Sequence, residues 1–406
     1  MRQILLPLLL LVGSVVNANA ATITFAVTVP EETPADASIY IAGDFQGWNP
    51  ASPTHRFTKV GDRLYELTLE LPEGRIEFKF TRGDWATVEK GPGGEEIGNR
   101  VLTLAADARY ELTVAKWADL GTARTLTGNV TEHTVPGLLS ERRVWVYLPP
   151  DYETETRSYP VLVMLDGQNV FDASTSFAGE WNVDETCEAL IASGDIEPLI
   201  VVAVDNGGAE RVTEYTPWYD AGRAAGGGGG AHLQTLVDVL LPWIHENYRT
   251  RVGPENTGFS GSSLGGLMSV FAAHEHAATF GRVGALSPSI WWDDRHLVQF
   301  VADYASKPEG AKLWIDMGTL ESNLPHSEKR PAVDPMVEDL RALRDQLASN
   351  GWTLGTDLVS FEDEGARHNE SAWSARFPEV LRFLFPKSTG VGAATESVGG
   401  LKRSYR

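Results

Sequence analysis

From Ala21 to about Trp117 the apolar positions recur every second residue: Ile23, Phe25, Val27 and Val29, then Leu67, Leu69 and Leu71, then Ile76, Phe78 and Phe80 after the turn LPEGR. Period two belongs to strands with one buried face, and clusters of Pro, Gly and Asp separate these segments. No helical stripe interrupts them. The pattern predicts a small antiparallel β-sandwich over residues 21–117. From about Val144 the rhythm changes to strand, loop, helix. Continuous apolar runs such as YPVLVMLDG and LIVVAVDN read as strands buried on both faces, and they alternate with helical segments such as HLQTLVDVLLPWIHENY. In VDPMVEDLRALRDQL, the residues Met336, Val337, Leu340, Leu343 and Leu347 fall at helical spacing, a stripe suited to a sheet face. The expected fold is therefore α/β, with a mostly parallel central sheet over 137–386, preceded by the β-sandwich. The polar stretch 118–136 is expected to link the two. Residues 387–406 lack periodic apolar content and are expected to form a disordered tail.

The first twenty residues stand apart from this scheme. Arg2 precedes an almost unbroken apolar run from Ile4 to Val16, and Ala18-Asn19-Ala20 forms a small-residue cleavage site. This is the pattern of a secretory signal, and the run is shorter than the ~20 residues a membrane-spanning helix needs. Export to the periplasm or the medium is the expectation. Cys187 is the only cysteine, so no intramolecular disulfide assists folding. A net charge of −21 disfavours nucleic acid and anionic membranes as partners, because both reward basic surfaces.

Chemistry enters at residues 258–267, GFSGSSLGGL. Gly261-Ser262-Ser263-Leu264-Gly265 matches G-x-S-x-G, with a short apolar segment before it and the helical LGGLMSVFAAH after it. That strand-turn-helix setting is the one a nucleophile elbow requires, and it selects Ser263 over Ser260 and Ser262. A serine hydroxyl needs a base, and the base needs an acid to orient it. In this fold class the acid and then the histidine follow at the ends of later strands. KLWIDMG runs into GTLESN, which puts Glu321 at a strand tip. TDLVSFEDEG runs into ARHNESAW, which puts His368 before the last helix. Asp316 and His326 are the alternatives for acid and base. The amide after the nucleophile, that of Leu264, and one from Gly167-Gln168 after VLVML would form the oxyanion hole. Trp181, Trp218, Trp291 and Trp292 are candidates to line the substrate site or to belong to the core. The run GGGGG at 226–230 lacks the features of a phosphate loop. His274 and His276 are two residues apart, the wrong spacing for a zinc helix. No cofactor and no metal are expected.

The strings LDGQNVFD, GEWNVDE, EYTPW, GSSLGGL, ALSPSIWW, GTLE and RHNESAW, in this order, resemble the esterase family of α/β-hydrolases that includes enterochelin esterases, feruloyl esterases, S-formylglutathione hydrolases and the antigen 85 mycolyltransferases. The resemblance covers about residues 128–386. It implies Ser263 as nucleophile, Glu321 as acid, where several members carry aspartate, His368 as base, and the amides of Gln168 and Leu264 as oxyanion donors. The front segment, with IYIAGDFQGWNP and FKFTRGDWATVEKG, resembles glycogen- and starch-binding β-sandwich modules. There the resemblance implies a sugar platform at Trp48 and Trp85, although related modules also serve only to pack on a catalytic domain. The expected activity is serine ester hydrolysis of a small-molecule or polysaccharide ester, with acetyl or feruloyl esters of carbohydrates foremost. Siderophore trilactone hydrolysis and non-catalytic glycan binding are the alternatives.

Overall fold

The computed structural model describes residues 20–387 apart from 93, 95–96, 121–123, 139–141, 177–178 and 323–332. Residues 1–19 of the expected signal 1–20, residues 388–406 of the expected tail 387–406, and His326 lie outside the described residues. The chain divides into two compact units, with the boundary after Gly121.

In the front unit, the alternating segments form two sheets around a shared core. One holds Thr58–Lys59, Leu64–Pro72, Ala20–Thr28 and Ala108–Thr113, in that order, and the other Tyr40–Gly43, Gly74–Thr81 and Arg100–Leu104. Ile23, Phe25 and Val27 point inward against Phe78 and Phe80, as period two requires. One detail departs from an all-antiparallel sandwich: Ala20–Thr28 pairs in parallel with Ala108–Thr113. The unit also runs past residue 117, since Trp117 bridges to Leu120.

The second unit is built on an eight-stranded sheet. Its strands are β1 (Asn129–Thr134), β2 (Arg143–Leu148), β3 (Val161–Leu165), β4 (Ile200–Val204), β5 (Thr257–Ser262), β6 (Arg282–Leu286), β7 (Lys312–Gly318) and β8 (Leu358–Asp363). The spatial order is β1-β2-β4-β3-β5-β6-β7-β8. From β4 to β8 all neighbours are parallel, and β2 runs antiparallel to both β1 and β4. The stretch 118–136 is therefore not simply a linker, because β1 lies within it and forms the sheet edge. Its sequence, NVTEHT, is polar at every position but Val130, because an edge strand has little to bury.

Helices cover the sheet: α1 (Val183–Ser193), α2 (residues 229–247), α3 (Leu264–Glu275), α4 (His296–Ala302), α5 (Pro335–Ser349) and α6 (Glu370–Leu384). Val337, Leu340, Leu343 and Leu347 of α5 are buried as their spacing predicts. α2 widens to a π-turn at Leu236–Leu240, directly before Pro242, whose ring and missing N–H disrupt a regular α ladder. The glycine run 226–230 leads into its first turn. A Cβ on Gly226 would run into Thr216 Oγ1 and come within 2.7 Å of Trp292 Cζ2, and one on Gly229 would meet Met268 Sδ at 2.8 Å, so these glycines serve close packing of a loop.

Candidate active site

Ser263 stands alone between β5 and α3 with φ 57° and ψ −120°, a strained conformation for a residue with a side chain. Three backbone bonds hold it there: its N–H donates to Leu286 O (3.0 Å), and its own carbonyl accepts from Ser289 N–H (2.9 Å) and from Leu267 N–H (3.0 Å). The turn is sharp enough that a Cβ on Gly261 would lie 2.9–3.0 Å from the backbone of Gly265. Gly265 itself is less constrained, since its Cβ would meet Leu165 Cβ at an ordinary 3.6 Å. Gly266 is the tight position on the helix side, where a Cβ would come within 2.8 Å of Leu286 O and 2.9 Å of Pro288 Cα. The motif pointed to 261 and 265; packing against β6 makes 266 the second obligatory glycine.

Ser263 Oγ lies 2.9 Å from His368 Nε2, and His368 Nδ1 lies 2.8 Å from Glu321 Oε2. A carboxylate can only accept, so Nδ1–H donates to Glu321 and Nε2 is left to accept the serine proton. The Ser289 hydroxyl stands 3.3 Å from Ser263 Oγ. The loops carrying acid and base are stitched together. Leu320 N–H donates to Ala366 O (3.0 Å), Thr319 N–H to Asp363 O (2.9 Å) and Gly365 N–H to Thr319 Oγ1 (2.8 Å). Glu321 is buried, whereas the His368 side chain keeps 28% of its surface exposed, so the base faces outward and the acid inward.

Behind the acid lies a polar network that sequence patterns did not single out. Glu321 Oε1 accepts from Gly318 N–H (2.6 Å) and from the Ser287 hydroxyl (2.5 Å). Ser287 Oγ in turn accepts from Trp373 Nε1 (2.9 Å) and Arg376 Nη2 (2.8 Å). The buried Arg376 guanidinium sits 3.0 Å from Asp316 Oδ1 and 3.7 Å from Glu321 Oε1. Asp316 is thus part of this network and does not touch His368. Burial pushes its carboxyl above the usual aspartate range, and Arg376 opposes that shift. The ring of Trp373 meets His368 edge-on at 5.0 Å. Ser287 falls within ALSPSIWW, a string that carried the resemblance but assigned this serine no role, and Arg376 lies outside every such string. Only the positive φ of Ser287 (42°), at the end of β6, marks it as a built position.

The turn after β3 adjoins the elbow because β3 and β5 are paired neighbours. Asp166 has φ 58°, and a Cβ on Gly167 would fall 2.6 Å from Val204 C. Arg211 grips the Asp166 carboxylate through Nε (2.6 Å) and Nη2 (2.7 Å), and Asn206 Nδ2 adds a third bond (2.6 Å). Gln168 is tied by its Oε1, which accepts from Asn206 N–H (3.0 Å). Its amide and that of Leu264 both lie in the first turn of a helical segment, where an N–H has no intrahelical acceptor.

The tryptophans separate. Trp181 is core, packed on Trp373 and Phe377, and Trp292 is buried with its Nε1 donating to Trp218 O (2.9 Å), so of the two alternatives these residues take the core position. Trp218 is half-buried and stacks on His296 at 4.4 Å, and Trp291 is half-buried beneath Arg223. In the front unit Trp48 and Trp85, both half-buried, stand 6.3 Å apart with a 39° angle between rings.

Residues 136–384, more than half of the chain, match the family model described as "Putative esterase". YbbA of Bacillus subtilis, an uncharacterized protein, is 26% identical over 268 residues, which is 65% of this chain and 98% of YbbA. An alpha-amylase of Niallia circulans is 46% identical over 103 residues, 25% of this chain; the chain spans only 8% of that enzyme's length. The crystal structure of the enterobactin esterase of Shigella flexneri, in the presence of 2,3-dihydroxy-N-benzoyl-serine, shares the fold with a TM-score of 0.51 at 17% identity, covering 89% of this chain and 92% of that one. With an α/β sheet that ends in a serine elbow and a family match over most of that unit, the chain belongs to the esterase family, a family of carboxylic ester hydrolases.

Proposed function

We propose that this protein is an exported serine ester hydrolase that cleaves acetyl or feruloyl esters of carbohydrates through Ser263, His368 and Glu321. The observation that carries the reading is the unbroken run of contacts from Ser263 Oγ through the imidazole to Glu321. In this reading His368 Nε2 takes the serine proton as Oγ attacks the ester carbonyl, and Glu321 steadies the imidazolium that forms. The Gln168 and Leu264 amides receive the negative charge on the carbonyl oxygen. His368 then returns its proton to the leaving alkoxide, and water, activated by the same base, releases the acyl group. Export is supported by the apolar run and small-residue site at the amino terminus.

The carbohydrate reading has two supports. Trp48 and Trp85 form a pair of half-exposed rings of the kind that covers a sugar face, and the amylase likeness extends over about the length of the front unit. A second reading, hydrolysis of a catechol-siderophore ester, takes its support from the fold shared with enterobactin esterase along most of the chain. Rates on acetylated xylan, methyl ferulate and a catechol trilactone separate them. The first reading expects kcat/KM on a carbohydrate ester to exceed that on the trilactone by at least about tenfold, and the reverse order overturns it.

A further inference from the structure

Outside the serine site, three carboxylates crowd the start of α1. Ligand oxygens of Glu180, Asp184 and Glu185 lie within 4.8 Å of one another. Each carboxylate uses one oxygen on the same passing segment. Glu180 Oε1 accepts from Thr125 Oγ1 (2.8 Å), Asp184 Oδ2 from Thr127 N–H (2.7 Å) and Glu185 Oε1 from Thr127 Oγ1 (2.9 Å). The remaining oxygens of Asp184 and Glu185, Oδ1 and Oε2, are buried with no hydrogen-bond donor among the described residues. Asp184 has no exposed surface at all. No lysine or arginine pairs with these three among the described residues; the nearby Arg124 approaches Asp172 instead, at 3.5 Å.

A helix N-terminus favours acidic side chains and accounts for one carboxylate in the first turn. It does not account for buried carboxylate oxygens that lack donors and face further negative charge, an arrangement that costs several kcal/mol unless something positive lies among them. The donor set is all oxygen, which selects a hard cation. Ca²⁺ takes about six to eight oxygens in a flexible geometry and suits an irregular set of three carboxylates, whereas Mg²⁺ demands near-ideal octahedral geometry and usually keeps several of its waters. We propose that Glu180, Asp184 and Glu185 form a structural Ca²⁺ site that clamps the segment at Thr125–Thr127 to the first turn of α1. This departs from the expectation of no metal drawn from the sequence. The site sits one residue from Trp181, which packs on Trp373 and so stands behind the His368 ring.

The competing occupant is a proton shared between carboxyl groups, and the experiment distinguishes the two without reference to ester hydrolysis. The full chain, stripped with EGTA and dialysed into buffered 0.15 M NaCl, is titrated with CaCl₂ by calorimetry and melted with CaCl₂, MgCl₂ or NaCl at matched ionic strength. A single site with Kd below about 10⁻³ M is expected, with a rise in Tm on the order of 5 °C at saturating Ca²⁺ and a smaller one with Mg²⁺. Asp184→Asn should abolish uptake. Glu180→Gln, at a half-buried position where folding is less at risk, should weaken it at least tenfold. Absence of binding heat, a Tm response equal for the three salts, or Ca²⁺ affinity unchanged in Glu180→Gln would each overturn the site.

Discussion

Ser263 bears two demands at once, a strained backbone and a hydroxyl aimed at an imidazole, and neither depends on the size of its side chain. Ser263→Ala should therefore leave circular dichroism and Tm nearly unchanged while lowering kcat on p-nitrophenyl acetate by roughly 10³-fold or more. If activity survives and Ser260→Ala or Ser262→Ala removes it, the register is wrong. Ser287 makes a different prediction. It never reaches the reacting atoms, but its hydroxyl joins Glu321 to Trp373 and Arg376. In Ser287→Ala three buried groups each lose a partner, so kcat should fall about 10- to 100-fold with KM nearly constant. An unchanged kcat would mean that Gly318 N–H alone holds the acid. Ser263, Glu321 and His368 could be picked out of the chain because an elbow pattern and two strand-end residues follow one another in the order that the proposed chemistry imposes. Ser287 and Arg376 could not, because the three partners that meet at the Ser287 hydroxyl, Arg376 among them, lie 34 to 89 residues from it along the chain.

At the scale of elements, the elbow separates two adjacent glycines. Gly265→Ala adds helix propensity and meets only ordinary contacts, so its stability should stay within about 0.5 kcal/mol of wild type or rise slightly. Gly266→Ala drives a methyl into Leu286 O and should cost about 2 kcal/mol or more, read as a fall in the urea midpoint. Equal effects would show that α3 can shift away from β6. α2 supplies a pH probe. His232 is buried on Tyr215 with neither ring nitrogen bonded among the described residues, and burial, aided by the charge of Arg142 and opposed by Asp166, lowers its pKa to about 4. The unfolded chain takes up this proton at the ordinary imidazole pKa near ~6.5, before the folded chain does, so stability drains away as pH falls from there toward 4. In His232→Phe that contribution is absent. The variant should gain on wild type by several °C in Tm between pH 7 and pH 5, and a constant gap would mean that His232 is solvated.

For the whole molecule, the question is what the front unit adds to the esterase unit. If Trp48 and Trp85 carry a sugar, the full chain should be retarded in an amylopectin gel, and either Trp→Ala substitution should remove the retardation while hydrolysis of p-nitrophenyl acetate stays within about twofold. Wild-type migration unaffected by amylopectin, glycogen and xylan would discard the platform and leave the unit a structural role.

Period two in the front segment, continuous apolar runs in the second and a glycine-serine turn between strand and helix determined the two-unit architecture, the sheet and the serine, because each is a short-range pattern in which backbone geometry dictates which side chains are buried. The edge strand β1 escaped that reading, since a strand with one open side has little apolar pattern to leave. Tertiary structure alone decided the rest. It moved Asp316 out of contention for the acid by pairing it with Arg376, sent Trp181 and Trp292 to the core, and made Gly266 the tight glycine. It also gathered three carboxylates against one threonine segment more than fifty residues away. Those outcomes depend on which distant groups meet in a low-dielectric interior, where a missing partner costs far more than it would in the chain before folding.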